Sequence, residues 1–173
     1  MPAKPAASNH TPLFPPRQHD HEPCLASALA NAQTAFEAKG LRLTPLRSAV
    51  FAEIAASHHA VGAYSILERL QQKGRRLAPI SIYRALDALL SAGVVHRLES
   101  RNAYFACHAR HTSQRPCLIL VCGRCSTVAE TPAPAVWEAI DTAVRRVDFS
   151  FEGSLVEVNG LCGPCAKQPG AAQ

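Results

Sequence analysis

Four cysteines in the last third of the chain stand in two closely spaced pairs, and this spacing is typical of zinc sites. The pairs are the motifs CGRC (122–125) and CGPC (162–165). Zinc in a structural site prefers four thiolates in a tetrahedron, and a spacing of two residues lets both sulfurs of a pair face one ion. The sequence therefore predicts a zinc site formed by four ligands: Cys122, Cys125, Cys162 and Cys165.

A second group of metal-binding residue types lies in the middle of the chain. His96 and Cys107 fall on the two strands of a predicted hairpin, and Glu130 lies at the end of a later predicted strand. Histidine, cysteine and carboxylate ligands from separate segments can form a mixed site that suits zinc. Three further donors lie between these strands, and the spacing does not choose among them: His108, His111 and Cys117.

The cysteines also raise a redox alternative, because CGPC is similar to the motif of thiol oxidoreductases. In those proteins the motif opens a helix after an early strand, whereas here it lies close to the C-terminus. Seven cysteines are an odd number, and prolines interrupt the N-terminal segment where a signal peptide needs an apolar run. No apolar run reaches the roughly 20 residues that span a bilayer. We therefore expect a cytoplasmic protein without a membrane partner.

Positive charge is concentrated in a central block, residues 39–101, where ten lysines and arginines outnumber four acidic residues. The whole chain of 173 residues has a net charge of +5. Such a block is the footprint of a nucleic-acid-binding surface, because lysine and arginine neutralise phosphates and release counterions. A basic surface without a partner is the alternative.

Apolar periodicity in the first half predicts four helices and then a hairpin, the order of a winged helix-turn-helix. We expect the helices at 24–39, 45–57, 63–73 and 79–91. The second has Thr44 as its N-cap and Pro45 as its first residue. The fourth has an apolar back and a front with Tyr83 and Arg84, as a recognition helix requires. Two arginines place positive charge on the wing: Arg97 and Arg101.

The second half has the pattern of a small α/β domain. Strands are predicted at 118–121 and 126–130, a helix from a cap at Thr131 and Pro132 through residue 146, and further strand between 148 and 159. The fold class expected for the chain is therefore α+β, with an N-terminal winged helix followed by a small α/β domain.

Several stretches together resemble the ferric uptake regulator (Fur) family. They are LRLTPLRSAVFAEI, AYSILERL, SIYRALDALLSAGVVHRLES, AYFACH, CGRC and GLCGPC, and the resemblance covers about residues 25–166. The segment HARHTSQRPC before the first cysteine pair is poor in histidine, which favours the zinc uptake regulator (Zur) branch of the family. The resemblance implies a homodimeric, zinc-responsive repressor that binds palindromic AT-rich operators of zinc-uptake genes and is not an enzyme.

The resemblance also implies two zinc ions per subunit. The four paired cysteines match the ligands of a structural zinc, and His96, Cys107 and Glu130 match three ligands of a regulatory zinc. The fourth regulatory ligand in the family is a histidine before the first cysteine pair. An ungapped alignment places Arg115 there, whereas a shifted loop places His111, which we expect to be the ligand; the alternatives are Cys117 and His108.

The resemblance further implies DNA contacts and domain boundaries. Tyr83 and Arg84 match positions that contact bases, and Tyr64 and Arg47 match positions that contact the DNA backbone. The implied parts are a disordered extension (1–23), the winged helix (24–107), a hinge loop (108–116), a zinc-binding dimerisation domain (117–166) and a loose tail (167–173). Three alternatives are a family member that senses iron, manganese or peroxide, a thiol oxidoreductase, and a zinc-ribbon interaction protein that does not bind DNA.

Overall fold

The computed structural model describes Phe14 and residues 22–107, 117–150 and 155–168. These residues form an α+β protein with two three-stranded sheets, one in each half of the chain. The predicted fold class is therefore confirmed. Among the helices of these residues, none is long and apolar enough to cross a membrane.

The N-terminal half consists of four helices and a small sheet. Its elements are α1 (Glu22–Ala38), α2 (Pro45–Ala55), β1 (Val61–Gly62), α3 (Ala63–Gln72), α4 (Pro79–Ala92), β2 (Val95–Leu98) and β3 (Ala103–Ala106). A single turn of 3-10 helix, Glu99–Arg101, connects β2 to β3. The strand order is β1-β3-β2, and both pairings are antiparallel. The two-residue strand β1 was not predicted, because it is too short to show a period.

Local end signals account for the agreement between the predicted and observed helices. The Thr44 hydroxyl accepts a hydrogen bond from the Arg47 amide at 3.4 Å, and Pro45 is the first residue of α2. Gly93 follows α4 with a φ of 76°, a left-handed conformation that glycine adopts without strain. The apolar back of α4 is buried in the core of this half: Ile82, Ala85, Leu86 and Leu89.

The C-terminal half contains β4 (Cys117–Cys122), β5 (Val128–Pro132), α5 (Pro134–Arg145), β6 (Leu155–Gly160) and α6 (Gly163–Ala166). Its strand order is β5-β4-β6. The pairing of β4 with β5 is antiparallel, whereas the pairing of β4 with β6 is parallel. The chain therefore crosses from one edge of the sheet to the other through α5.

Three sequence predictions in this half were wrong at their boundaries. The strand predicted at 126–130 runs from Val128 to Pro132, because Ser126 adopts a turn conformation with a φ of 58°. Thr131 and Pro132 therefore pair with β4 instead of capping α5, which begins at Pro134. The strand predicted from 148 begins at 155. The CGPC motif does open a short helix, α6, which was not predicted.

The β2–β3 hairpin lies between two hydrophobic cores. Val95, Tyr104 and Ala106 belong to the core formed by the helices. Leu98 and Phe105 point to the other side and pack with residues of β4 and β5 in a second core: Cys117, Ile119, Val121 and Val128. The hairpin therefore connects the two halves by burying alternate residues in each.

We predict that Ile119→Ala destabilises the protein by about 2–5 kcal/mol, because Ile119 is fully buried in this second core. Urea unfolding at fixed zinc concentration measures the change. Leu41→Ala, at a side chain that is 37% exposed, should cost about 1 kcal/mol or less. An equal cost for both variants would show that the second core contributes little to stability.

Candidate metal centres and nucleic-acid interface

The two cysteine pairs meet because β4 and β6 run parallel. The carboxyl ends of parallel strands lie at the same edge of a sheet, and Cys122 at the end of β4 pairs in register with Gly160 of β6. The Gly123 amide donates a hydrogen bond of 2.8 Å to the Gly160 carbonyl. This pairing brings the CGRC turn next to the start of α6, where Cys162 is the N-cap residue.

The geometry of these four cysteines fits a tetrahedral zinc ion. Their Sγ atoms all lie within 4.8 Å of one another. The Sγ atoms of Cys125 and Cys162 are 3.7 Å apart, close to the roughly 3.8 Å that zinc–sulfur bonds of about 2.3 Å produce in a tetrahedron. Cys122, Cys162 and Cys165 are buried, and Cys125 is half-buried. A closed site of four thiol groups is the donor set of structural zinc.

The thiols of the cluster have shifted pKa values. Burial raises the pKa of the Cys122 thiol, but hydrogen bonds from the backbone amides of Cys162, Cys125 and Arg124 outweigh it and lower the pKa to about 6. Burial raises the pKa of Cys162 to about 12, and the neighbouring thiols add to this rise. A lowered pKa favours the thiolate form of Cys122, which is the form of cysteine that binds zinc.

Arg124 and Thr127 support the cysteine cluster, and the sequence did not single them out. Nη1 of Arg124 donates hydrogen bonds to the carbonyl of Cys165 and, at 2.8 Å, to that of Gln168. These bonds connect the CGRC turn to the end of α6. The Thr127 hydroxyl lies 3.2 Å from the Sγ of Cys125. Phe14 also packs against the cluster.

A second group of donors lies between the hairpin and the C-terminal sheet. Nε2 of His96 is 3.3 Å from Oε1 of Glu130, and the Cys107 Sγ is 3.5 Å from Oε2 of the same carboxylate. One donor atom from each of the three side chains lies within 4.8 Å of the others, and nitrogen, sulfur and oxygen are donors that zinc accepts. The side chains present in this group therefore also fit zinc.

Strand alternation explains why these three side chains converge. His96 and Cys107 lie on the same face of the hairpin as Leu98 and Phe105, and the His96 and Phe105 rings are 5.4 Å apart. Glu130 pairs in register with Ile119 and therefore faces the hairpin, as Ile119 does. The Glu130 side chain is only 4% exposed, so a charged partner is needed to offset its burial.

The fourth ligand of this group stays a prediction. His108 and His111 lie outside the described residues. Cys117 is buried on β4 near Glu130; burial, and then the charge of Glu130, raise the pKa of its thiol to about 11. Among the described residues, Cys117 is not part of the group whose donor atoms lie within 4.8 Å of one another.

Glu157 is a residue that sequence reasoning missed. It pairs with Ile119 from the other side, so it also faces the hairpin. Its carboxylate accepts hydrogen bonds from the Glu99 amide at 2.6 Å and from the Ser100 hydroxyl. Nearby, Arg101 donates to the Ser126 hydroxyl at 3.0 Å. The tip of the hairpin is therefore bonded to the C-terminal sheet.

The residues expected to contact DNA lie on three helices. Arg84 is exposed and Tyr83 half-buried on α4, while Tyr64 on α3 is 70% exposed. The side chain of Arg47, on α2, contacts other residues of the protein. Its Nη1 donates to the Arg42 carbonyl at 2.6 Å, and its guanidinium lies 5.8 Å from the centre of the Phe36 ring.

We predict that Glu157→Ala loosens the hairpin tip. Removing an acceptor of two hydrogen bonds, one from a backbone amide, should cost about 1 kcal/mol, which corresponds to roughly fivefold faster amide exchange. Hydrogen–deuterium exchange of a peptide covering residues 99–106 measures this change. Glu138→Ala, an exposed acidic residue on α5, is the matched control. Unchanged exchange in Glu157→Ala would refute the contact.

Comparison with known proteins agrees with this geometry. The model of the ferric uptake regulator family matches residues 38–158. The zinc uptake regulation protein of Escherichia coli K12 is 32% identical over 139 residues, which cover 80% of this chain and 81% of the relative.

Two solved structures are also similar. A zinc uptake regulator complexed with zinc and DNA has a TM-score of 0.76 at 31% identity, and the match covers 83% of this chain and 95% of that one. The structure of holo XcZur has a TM-score of 0.73 at 36% identity, and the match covers 82% of this chain and 99% of that one. Because the family model spans most of the sequence and the fold agrees, the chain belongs to the ferric uptake regulator family.

Proposed function

We propose that this protein is a zinc-responsive transcriptional repressor that binds palindromic AT-rich operators of zinc-uptake genes as a homodimer when zinc is bound. The observation that supports this most is the convergence of His96, Cys107 and Glu130 between the winged helix and the C-terminal sheet. Their donor atoms, one from each side chain, lie within 4.8 Å of one another, a spacing that one zinc ion can bridge. Similarity to a zinc uptake regulator complexed with zinc and DNA supports the same function.

Each subunit binds two zinc ions in this proposal. The four paired cysteines hold a structural ion. They lie together at one end of the C-terminal sheet. His96, Cys107 and Glu130, with His111 as the expected fourth ligand, hold a regulatory ion. Zinc, when bound there, supplies a rigid junction between segments that are far apart in sequence.

The regulatory residues act by orienting the winged helix. His96 and Cys107 belong to the hairpin, and Glu130 belongs to β5. When these side chains share one ion, the hairpin is held at a single angle to the C-terminal sheet. That angle selects the arrangement in which both recognition helices of a dimer reach the major groove. By linkage, DNA tightens zinc binding by the same factor.

The DNA-binding surface is the exposed front of α4 with the surrounding basic block. Arg84 donates to a guanine edge, and Tyr83 contacts a neighbouring base. Tyr64 and Arg47 contact the DNA backbone, where contacts set position rather than sequence. The positive excess of residues 39–101 supplies the non-specific attraction.

The dimer forms through the C-terminal half. The strand β6 stands at the end of the described strand order β5-β4-β6. Large apolar side chains are exposed on this half: Val136, Val147, Phe149, Val158 and Leu161. A contiguous apolar surface is typical of a protein interface, so these side chains are candidates for the dimer contact, and a second copy of the chain is the partner that a palindromic site requires.

Fluorescence anisotropy on an AT-rich palindromic duplex tests the proposal. The full-length protein is titrated at fixed ionic strength with zinc, iron(II) or manganese(II) in separate series. We expect tight, saturable binding in the zinc series and weak, non-specific binding in the others. Binding that follows iron or manganese would identify a different metal sensor of the family. Equal binding with and without metal, or none, would refute a metal-responsive repressor.

We predict that Cys107→Ser and Cys162→Ser have different effects. Cys107→Ser should leave a folded dimer but raise the zinc concentration needed for DNA binding by at least about 100-fold, since even outer-shell changes cost 10–100-fold. Cys162→Ser should unfold the C-terminal half or dissociate the dimer, because a four-thiolate site contributes directly to folding.

Circular dichroism, sedimentation and zinc-dependent anisotropy measure these outcomes. Cys24→Ser is the matched control, because Cys24 is a half-buried residue of α1 outside both metal groups. It should behave as the unmodified protein does. If Cys107→Ser and Cys162→Ser have the same effect, the division into a structural and a regulatory site is wrong.

A further inference from the structure

Ile80 is a large apolar side chain on the polar front of α4. It is the second residue of the helix, and 57% of it is exposed. At 100° per residue, Ile80 shares its side of the helix with Tyr83, Arg84 and Asp87. The other apolar residues of this helix that have large side chains are buried or half-buried. Ile80 is not among the residues that form or pack against the core of this half.

The surroundings of Ile80 indicate a nucleic acid as its partner. The turn before α4 contains Arg75 and Arg76, both exposed, which line a concave surface together with Gly74 and Ala78. Arg84 lies one helical turn after Ile80. An apolar residue with arginines on both sides along the chain matches a phosphate-lined groove better than the apolar centre of a protein interface.

The chemistry of the major groove offers one apolar feature, the 5-methyl group of thymine. Isoleucine has no hydrogen-bonding group in its side chain, so it distinguishes bases only by burying apolar surface. We propose that Ile80 reads a thymine methyl group and thereby helps to select the operator. This inference rests on the proposed function, because it requires α4 to enter the major groove.

The helix geometry locates that thymine. Residues four apart on a helix have Cβ atoms about 5–6 Å apart, and successive base pairs are stacked about 3.4 Å apart. Ile80 and Arg84 are four apart. The thymine read by Ile80 therefore lies within about two base pairs of the base that Arg84 contacts.

A deoxyuridine scan tests this. Duplexes are first selected from a random-sequence pool by the full-length, zinc-loaded protein. Each thymine of the selected duplex is then replaced singly by deoxyuridine, which pairs in the same way but lacks the methyl group. At one position in each half-site the replacement should weaken binding about fourfold, the value expected for one buried methyl group. In Ile80→Ala the same replacement should have no effect.

Two further variants complete the experiment. Ser91→Ala, on the same face about three turns further along α4, should keep the full deoxyuridine effect. A selection repeated with Arg84→Ala identifies the base that Arg84 reads, which should lie within two base pairs of the sensitive thymine. A greater separation would refute the proposed geometry.

The remaining outcomes separate this inference from the proposed function. If zinc-dependent, sequence-specific binding is found but no thymine is sensitive, the role of Ile80 is refuted and the proposed function stands. The same holds if Ile80→Ala retains the deoxyuridine effect. If the selection gives no zinc-dependent sequence preference, both proposals fail together.

Discussion

Alternate residues of the β2–β3 hairpin pack into two different cores, and this arrangement constrains everything that the two halves do together. Tyr104 and Ala106 belong to the helical core, whereas Leu98 and Phe105 pack against β4. The hairpin therefore cannot turn relative to either half without exposing apolar surface. The second core consists of a few side chains. Because so few side chains hold the two halves together here, a bound ligand can shift the equilibrium between different orientations of the halves.

The two metal groups differ in the distance over which their ligands are assembled. The four cysteines come from one edge of one sheet, where the parallel pairing of β4 and β6 brings both motifs together. His96, Cys107 and Glu130 come from both halves. In the proposed function, a metal at the first group would stabilise the C-terminal half, and a metal at the second group would fix how the two halves are oriented. Glu157 adds a contact that orients the hairpin through its tip.

Most of the fold could be predicted from the sequence, because its signals are local. Thr44 with Pro45, and Gly93 after α4, mark helix ends through the backbone of one or two residues. The predictions failed where long-range pairing outweighed a local signal. Thr131 followed by Pro132 has the pattern of a helix start, but the ladder with β4 keeps both residues in β5. The short strand β1 forms because β3 offers it a partner.

For the site, the sequence by itself determined which residue types were available: two CxxC pairs, a histidine and a cysteine on a hairpin, and an amphipathic helix with Arg84 on its front. Residue type and spacing indicate which ligands are available for a metal, because both can be read from a short stretch of the chain. The sequence also grouped Glu130 with His96 and Cys107, but only the tertiary structure shows how strand pairing brings the three together. That Glu157 meets the hairpin tip was decided by the tertiary structure alone. Glu130 on β5 and Glu157 on β6 both pair in register with Ile119, which lies on the strand between them. The strand order and register that place them there depend on contacts between residues far apart in the chain.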